Sequence, residues 1–322
     1  MAKHIAKRLL QLIPVLLLVS IFSFLIIHFA PGDPLNMYIR PDMTPEEMDT
    51  LRANLGLDGT IVDQYLGWLN NVLHGNLGNS LTNSGQPVAD RILEVLPNTI
   101  LLMGTSLVLS FVISIPLGLI AGLKKNQWPD QIISFFSYIG ISIPSFWFGL
   151  ILIIVFSLLL KVLPGSGIHT IGDDSLLDLI RHLIMPSLVL SVGNVATFTR
   201  YIRSATISQL EEEYVLTAKA KGVSQRGILF HHVLKNCLLP VITLAGMRFS
   251  SLVTGSFIVE SVFGWPGMGT LGMSAINNLN YPMIMGFTML SCLLLIVGNL
   301  IADLLYYVAD PRIRSGFQEV QG

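Results

Sequence analysis

Few residues in this 322-residue chain could do chemistry, and their spacing excludes most catalytic classes. The two cysteines, Cys237 and Cys292, are far apart and form no Cys-x-x-Cys, so neither a disulfide framework nor a four-ligand zinc site follows. His231 and His232 are adjacent, and neighbours on a helix point apart, so they cannot close on one metal ion. No His-Glu-x-x-His, Gly-x-Ser-x-Gly or paired-carboxylate pattern lies in an apolar stretch. The nearest approach to a phosphate-binding loop, Gly222-Val-Ser-Gln-Arg-Gly227, continues with Ile228 and lacks the lysine that holds phosphates. The pattern predicts no catalytic site, no metal and no cofactor bound by this chain. Any ATP-driven work must come from a partner.

Charge placement says more. In Glu211-Glu-Glu-Tyr-Val-Leu-Thr-Ala-Lys-Ala-Lys-Gly222, acids stand where a helix would begin and lysines where it would end, which matches the helix dipole. Gly222 follows as a left-handed cap, and Ser224 reads as the N-cap of a second helix running toward Pro240. Tyr214, Thr217, Ala218 and Lys221 fall at helical spacing, so one face is small and semi-polar. Such a helix suits docking into a groove on a cytoplasmic partner. A solvated loop helix that satisfies its own charges is the alternative, and spacing alone leaves both open.

The elements that must position this helix are membrane spans. The chain is 52% hydrophobic and 12% charged, where soluble domains carry about 25% charge. Mean hydropathy is +0.66. A soluble globule could not hide that much apolar surface, so an all-α integral membrane protein is expected. The net charge of −1 offers no basic face for nucleic acid. Stretches near the roughly 20-residue length of a span occur at 9–30, 99–123, 132–160, 183–199, 237–259 and 282–302. Lys3, Lys7 and Arg8 precede the first, as in a signal peptide. Its apolar core exceeds the usual length of about 7–15 residues, so it reads as a retained helix.

With the N-terminus inside, 13 Lys and Arg fall in cytoplasmic segments and five outside, the latter being Arg40, Arg52, Arg91, Lys161 and Arg181. That bias predicts both termini cytoplasmic, which the six spans also require. The layout is a first span within 1–30, an extracytoplasmic loop region over 31–98 with Tyr65 and Trp68 in a helix, a five-span core over 99–309, and a tail over 310–322. The docking helix lies in the cytoplasmic loop 201–236, between spans four and five.

Polar groups inside the spans need partners. Arg248 lies about 12 Å above Pro240 and Asp303 about 10 Å above Asp310, so the two could share a depth. An ion pair joining spans five and six is expected, with Arg248 facing a cargo carboxylate as the rival. Recovery of assembly on exchanging the two charges would support the pair. Pro144 and Pro116 each free a backbone carbonyl that Ser142, Ser145 or Ser114 could satisfy; ordinary packing kinks are the plainer reading. Ser187, Ser191, Asn194 and Thr197 form a polar stripe, either glue between helices or a wet path. Ser142, Ser145 and Asn194 are thus candidate translocation-path residues. Trp265-Pro-Gly-Met-Gly269 reads as a tight outer turn. Glu260 either anchors that turn or touches a partner.

Glu213-Tyr-Val-Leu-Thr-Ala-Lys-Ala-Lys-Gly222 with Leu238-Leu-Pro240 resembles the EAA-type signature of bacterial ATP-binding-cassette importer permeases, in the oligopeptide, dipeptide, nickel and glutathione branch. The same branch is matched in order by Ala30-Pro-Gly-Asp-Pro34, Gln64-Tyr-Leu-Gly-Trp-Leu69, Gly75-Asn-Leu-Gly-Asn-Ser80, Ser142-Ile-Pro-Ser-Phe-Trp147, Val259-Glu-Ser-Val-Phe-Gly-Trp-Pro-Gly-Met-Gly269 and Asp310-Pro-Arg-Ile-Arg314. Asn76 stands where the family usually has Asp. The resemblance implies a permease subunit in the bacterial plasma membrane that moves peptides, or else nickel chelates or glutathione, by alternating access. It implies a coupling helix made by Glu213, Tyr214, Thr217, Ala218, Ala220, Lys221 and Gly222, with Tyr214, Ala218, Ala220 and Gly222 as contacts. It implies a second homologous permease, two cytoplasmic ATPase subunits that bind Mg-ATP, and an extracytoplasmic substrate-binding protein received partly by 31–98. Glu260, Trp265, Pro266 and Gly267 would form the outer turn.

Overall fold

The computed structural model describes residues 2–29, 43–48, 59–82, 85–224, 227–234, 236–237 and 256–309. Among them every regular element is helical, with only two isolated β-bridges, Asn79–Pro87 and Thr170–Asp173. An apolar chain in lipid must satisfy its backbone internally, and a continuous helix does so. The long helices are α1 (Ala2–His28), α3 (Val88–Leu123), α6 (Leu176–Leu210) and α10 (Tyr281–Ala309). Of these, α3, α6 and the Tyr281–Leu300 part of α10 are long and apolar enough to cross a membrane. Because α3 begins at Val88, the last residues of the 31–98 segment are helical.

The helix around Tyr65 and Trp68 is α2 (Ile61–Leu73). It opens on a reciprocal cap: Asp63 N–H donates to the Thr60 hydroxyl, and the Asp63 carboxylate accepts from the Thr60 hydroxyl and N–H. Those bonds hold the Asp63 carboxyl below its ordinary value. The Tyr65 hydroxyl lies 2.9 Å from Ser20 Oγ and its ring meets Phe24 edge-on, which lays α2 against α1.

The stretch 132–160 is not one kinked span. Helix α4 (Trp128–Ser142) and helix α5 (Ser145–Leu152), which runs on as a π-helical turn over Ile153–Leu159, meet at 101°. Pro144 has no N–H to donate and pushes Ile143 out of the helical region, so Ile143 is extended at φ −74° and ψ 124°. The bend is a break, either of a broken span or of a re-entrant segment. Pro116 behaves differently and sits inside continuous α3; Ser114 Oγ is buried there without a partner. The expected fifth span, 237–259, lies largely outside the described residues.

Helices α3 and α6 form the central contact. Every fourth residue of α3 over one long stripe is small and buried: Ser106, Ser110, Ser114, Gly118 and Gly122. A Cβ added at Gly118 would lie 2.5 Å from Ile202 Cβ and 2.9 Å from the Thr199 carbonyl. At Gly122 it would lie 2.5 Å from Thr206 Cβ and 3.1 Å from the Arg203 carbonyl. Lipid gives helices no hydrophobic reason to associate, so close approach and dispersion must hold them. The polar stripe of α6 divides between burial and bonds within its own helix. Ser187 and Ser191 are buried, and Thr197 donates to its own-helix Gly193 carbonyl. Phe111 stacks on Phe198 with centroids 5.1 Å apart. Beyond the seam, Val88, Ile92 and Val95 of α3 pack with Met268 and Ala275 of α9 (Met268–Asn277) and Met283 of α10.

This packing makes a differential prediction. Gly122→Val should lower thermal stability in detergent by about 1–3 kcal/mol, the range for overpacking. Gly104→Val carries the same propensity change on the same helix, where an added Cβ meets nothing within 4 Å. It should cost clearly less. Thermal melts followed by size-exclusion chromatography compare the two, and equal melting shifts would contradict the seam.

Candidate functional site

Two sites emerge at opposite ends of the α3–α6 pair. At one end, α6 stops at Leu210 and the chain turns into α7 (Glu213–Ala220). Glu212 is the extended N-cap and Lys221 the C-cap. Gly222 follows at φ +76°, a left-handed position that favours glycine. Val223 N–H then donates to the Ala218 carbonyl, closing the helix end. Ser224 Oγ accepts from Gly227 N–H and so opens the next helical segment.

Of the face read from spacing, Tyr214 and Ala218 turn inward while Thr217 and Lys221 stay exposed. Val215 is fully buried and Ala218 nearly so, in a cluster with Leu119, Phe198, Ile202, Ile228 and Val233. Tyr214 is half-buried; its hydroxyl donates to Gln209 and accepts from Asn236. Tyr214 and Ala218 therefore face the rest of the chain and hold α7 down. The outward face carries Glu213, Leu216, Thr217, Lys219 and Ala220, followed by Lys221 and Gly222. Leu216, 58% exposed, is the residue missed by the sequence reading. The signal was present: Val215 and Leu216 are adjacent aliphatics, and one must point out where the other points in.

At the other end, a buried carboxylate organises the turn after α8 (Phe257–Val262). Glu260 is fully buried. It accepts from Gly269 N–H at 2.6 Å, Thr270 N–H at 3.2 Å, Ser256 N–H at 3.3 Å and the Thr99 hydroxyl at 3.2 Å. The first two are otherwise unpaired donors at the start of α9, where a negative charge also meets the positive helix end. Thr99 in turn accepts from Met268 N–H at 2.7 Å. Trp265 is fully buried, and its indole N–H donates to the Asn98 carbonyl. The Asn98 amide donates to the Pro266 carbonyl. Glu260, Trp265 and Gly267 are thus inside the turn, and Pro266 is exposed. Of the two roles left open for Glu260, the geometry gives it the anchor.

The candidate path residues are not brought together by hydrogen bonds. Ser142 donates to the Tyr138 carbonyl and Asn194 to the Leu190 carbonyl, each within its own helix. Ser145 is exposed. Ser142 does line an open cleft of about 500 Å³ at the α4–α5 break, with Phe135, Tyr138, Ile139, Pro144, Phe146 and Trp147. Arg248 and the side chain of Asp303 lie outside the described residues, as do Leu238-Leu-Pro240, Ala30-Pro-Gly-Asp-Pro34 and Asp310-Pro-Arg-Ile-Arg314.

Residues 114–315 match the family described as binding-protein-dependent transport system inner membrane component, and residues 1–103 match its N-terminal companion. The chain is 43% identical over 314 residues to the oligopeptide transport system permease protein AppB of Bacillus subtilis, covering 97% of this chain and 99% of that one. A putative peptide permease protein of Brucella ovis is 42% identical over 317 residues, 98% of this chain and 99% of its own. The glutathione transport system permease protein GsiC of Escherichia coli K12 is 38% identical over 314 residues, 98% of this chain and 99% of its own.

Removing the Glu260 carboxylate leaves several buried donors unpaired, at about 1–3 kcal/mol for such a group. Glu260→Ala should lower the melting temperature strongly. Glu260→Gln, which keeps one acceptor but turns an amine toward an N–H, should fall between. An alanine variant that melts like the parent would refute the anchor.

Proposed function

The chain belongs to the family of binding-protein-dependent transport system inner membrane components, and on that premise we propose that it carries peptides through the plasma membrane by alternating access. It is a multi-pass permease subunit of an ATP-binding-cassette importer and has no catalytic role. Hydrolysis of Mg-ATP takes place on two separate cytoplasmic subunits. A second homologous permease completes the membrane unit, and an extracytoplasmic binding protein delivers cargo. The peptide reading is supported by the names of two relatives at 42–43% identity. Glutathione is the second reading, favoured by GsiC at 38%, and nickel chelates are the third.

The observation that supports this function most is the seating of α7. Val215 and Ala218 fix the helix to the end of the α3–α6 pair, and Leu216, Thr217 and Ala220 stay outward. A rigid helix with an exposed leucine can enter an apolar groove on an ATPase and pass its motion to the spans. Glu213, Lys221 and Gly222 border the contact; Tyr214 acts from behind it. Six crossings with both termini cytoplasmic complete the reading, α4 with α5 making the broken third. Ser142, Ser145 and Asn194 are the proposed path, and Pro266 the exposed tip that meets the binding protein. Arg248 and Asp303 are proposed as the ion pair.

Pull-down of the tagged chain from mild detergent tests the contact. The parent should bring down two ATPases and a second six-span protein. Leu216→Arg should lose most of the ATPase, at least about tenfold for an interface anchor exceeding 1.4 kcal/mol. It should keep the second permease and its melting temperature. Undiminished ATPase recovery with Leu216→Arg would contradict this face.

A further inference from the structure

A second feature near the coupling helix has no part in the contact described above. Asp130, in the first turn of α4, is 2% exposed. Its carboxylate accepts from Arg203 of α6 through both Nε and Nη2, the latter at 2.7 Å. It also accepts from Asn126 N–H at 2.8 Å and from the Ser134 hydroxyl at 3.3 Å. A two-toothed Arg–carboxylate contact fixes orientation as well as distance, which a single lysine contact would not. Three further ties run between the same bodies. Lys125 Nζ lies 3.3 Å from Glu211 Oε1, joining the α3–α4 turn to the chain just before α7. Arg200 stands 5.0 Å over the Tyr138 ring. Higher up, a Cβ at Gly140 would touch Val192 and Ala196 at 3.2 Å.

The ties at Asp130, Tyr138 and Gly140 act on α4 and that at Lys125 on the turn before it, all ahead of the break at Ile143–Pro144. Beyond the break, α5 and its π-helical turn pack on the first half of α6, through Met185 and Val189, and on α8 and its C-terminal end, through Val259 and Phe263. The chain therefore has a segment bolted to the second half of α6, a break, and a segment shared between the first half of α6 and α8.

Resting on the permease reading, we propose that Asp130 is a positioning residue for transport: through its buried pair with Arg203 it makes α4 move with α6 and the coupling helix, so that Ile143–Pro144 is the hinge. Motion delivered to α7 then reaches the aromatic cleft at the break as a change in the α4–α5 angle. Without the pair, α4 would lag behind α6, and ATP would be hydrolysed with less cargo moved.

The test uses the full transporter in proteoliposomes with its ATPases and binding protein. Asp130→Asn keeps the shape and removes the charge. It should leave ATP hydrolysis near the parent rate and lower peptide transported per ATP by about 2- to 30-fold, the range for residues along a coupling route. Exchange of the pair, Asp130→Arg with Arg203→Asp, should recover much of that ratio. An unchanged ratio in Asp130→Asn, or a loss of hydrolysis and transport in equal measure with no recovery in the exchange, would overturn the proposal. Should Asp130→Asn fail to assemble, a bridge decides. Lys125→Cys and Glu211→Cys, with Cys292→Ala and Cys237 left buried, are joined by a short cleavable thiol cross-linker. Bridged transporter should still import, because the two sites move together. Import lost on bridging and restored on cleavage would overturn the proposal. Absence of ATP-driven import by the parent would contradict the permease reading instead.

Discussion

Close approach of α3 and α6 through a stripe of small residues is the constraint on which the other features depend. Gly118 and Gly122 let the α3 backbone meet the Thr199 and Arg203 carbonyls of α6 with no side chain between. A lipid-embedded pair has only such contacts, with a few hydrogen bonds, to hold it. Once the two helices are fixed, both functional ends follow. At Leu119, Phe198 and Ile202 the pair provides the floor on which α7 sits. At Asn98 and Thr99 it provides the partners for the turn built on Glu260. The seam thus spans the distance between the floor under α7 and the turn built on Glu260.

Charged groups in this chain are used where structure must be exact in direction. Glu260 gathers donors from α8, α9 and α3, and so sets how three elements meet. Asp130 gathers donors from α6 and from its own turn. Both carboxylates are almost entirely removed from water. A buried charge is tolerated only when its partners are supplied in full, and breaking such a set costs more than a surface pair returns. The apolar remainder of the molecule gives bulk adhesion without direction.

Much of this was legible in the sequence, for identifiable reasons. Long uncharged runs forced α3, α6 and α10, because no other element suits lipid. The dipole-matched charges of 211–222 and Gly222 marked α7 and its cap. Family motifs carried the function. Other features were hidden. Pro144 marked a break, but a proline fixes only its local backbone; the 101° angle depends on what each half packs against. The inward side of α7 was not legible because small residues suit burial against the rest of the chain as well as contact with a partner, and Val215 decides which. The four-residue repeat from Ser106 to Gly122 could have been found, since small residues at that spacing mark a packing ridge. The Asp130–Arg203 pair could not, because 73 residues separate the partners and nothing local links them.

ATP-driven uptake is the most direct test of the whole account. Proteoliposomes holding this chain, its partner permease and its ATPases would be given a labelled oligopeptide and the binding protein outside, with ATP inside. Peptide should accumulate only when ATP, the binding protein and this chain are all present. Accumulation of glutathione or a nickel chelate with no peptide uptake would contradict the cargo, and peptide uptake undiminished when this chain is left out would contradict its role.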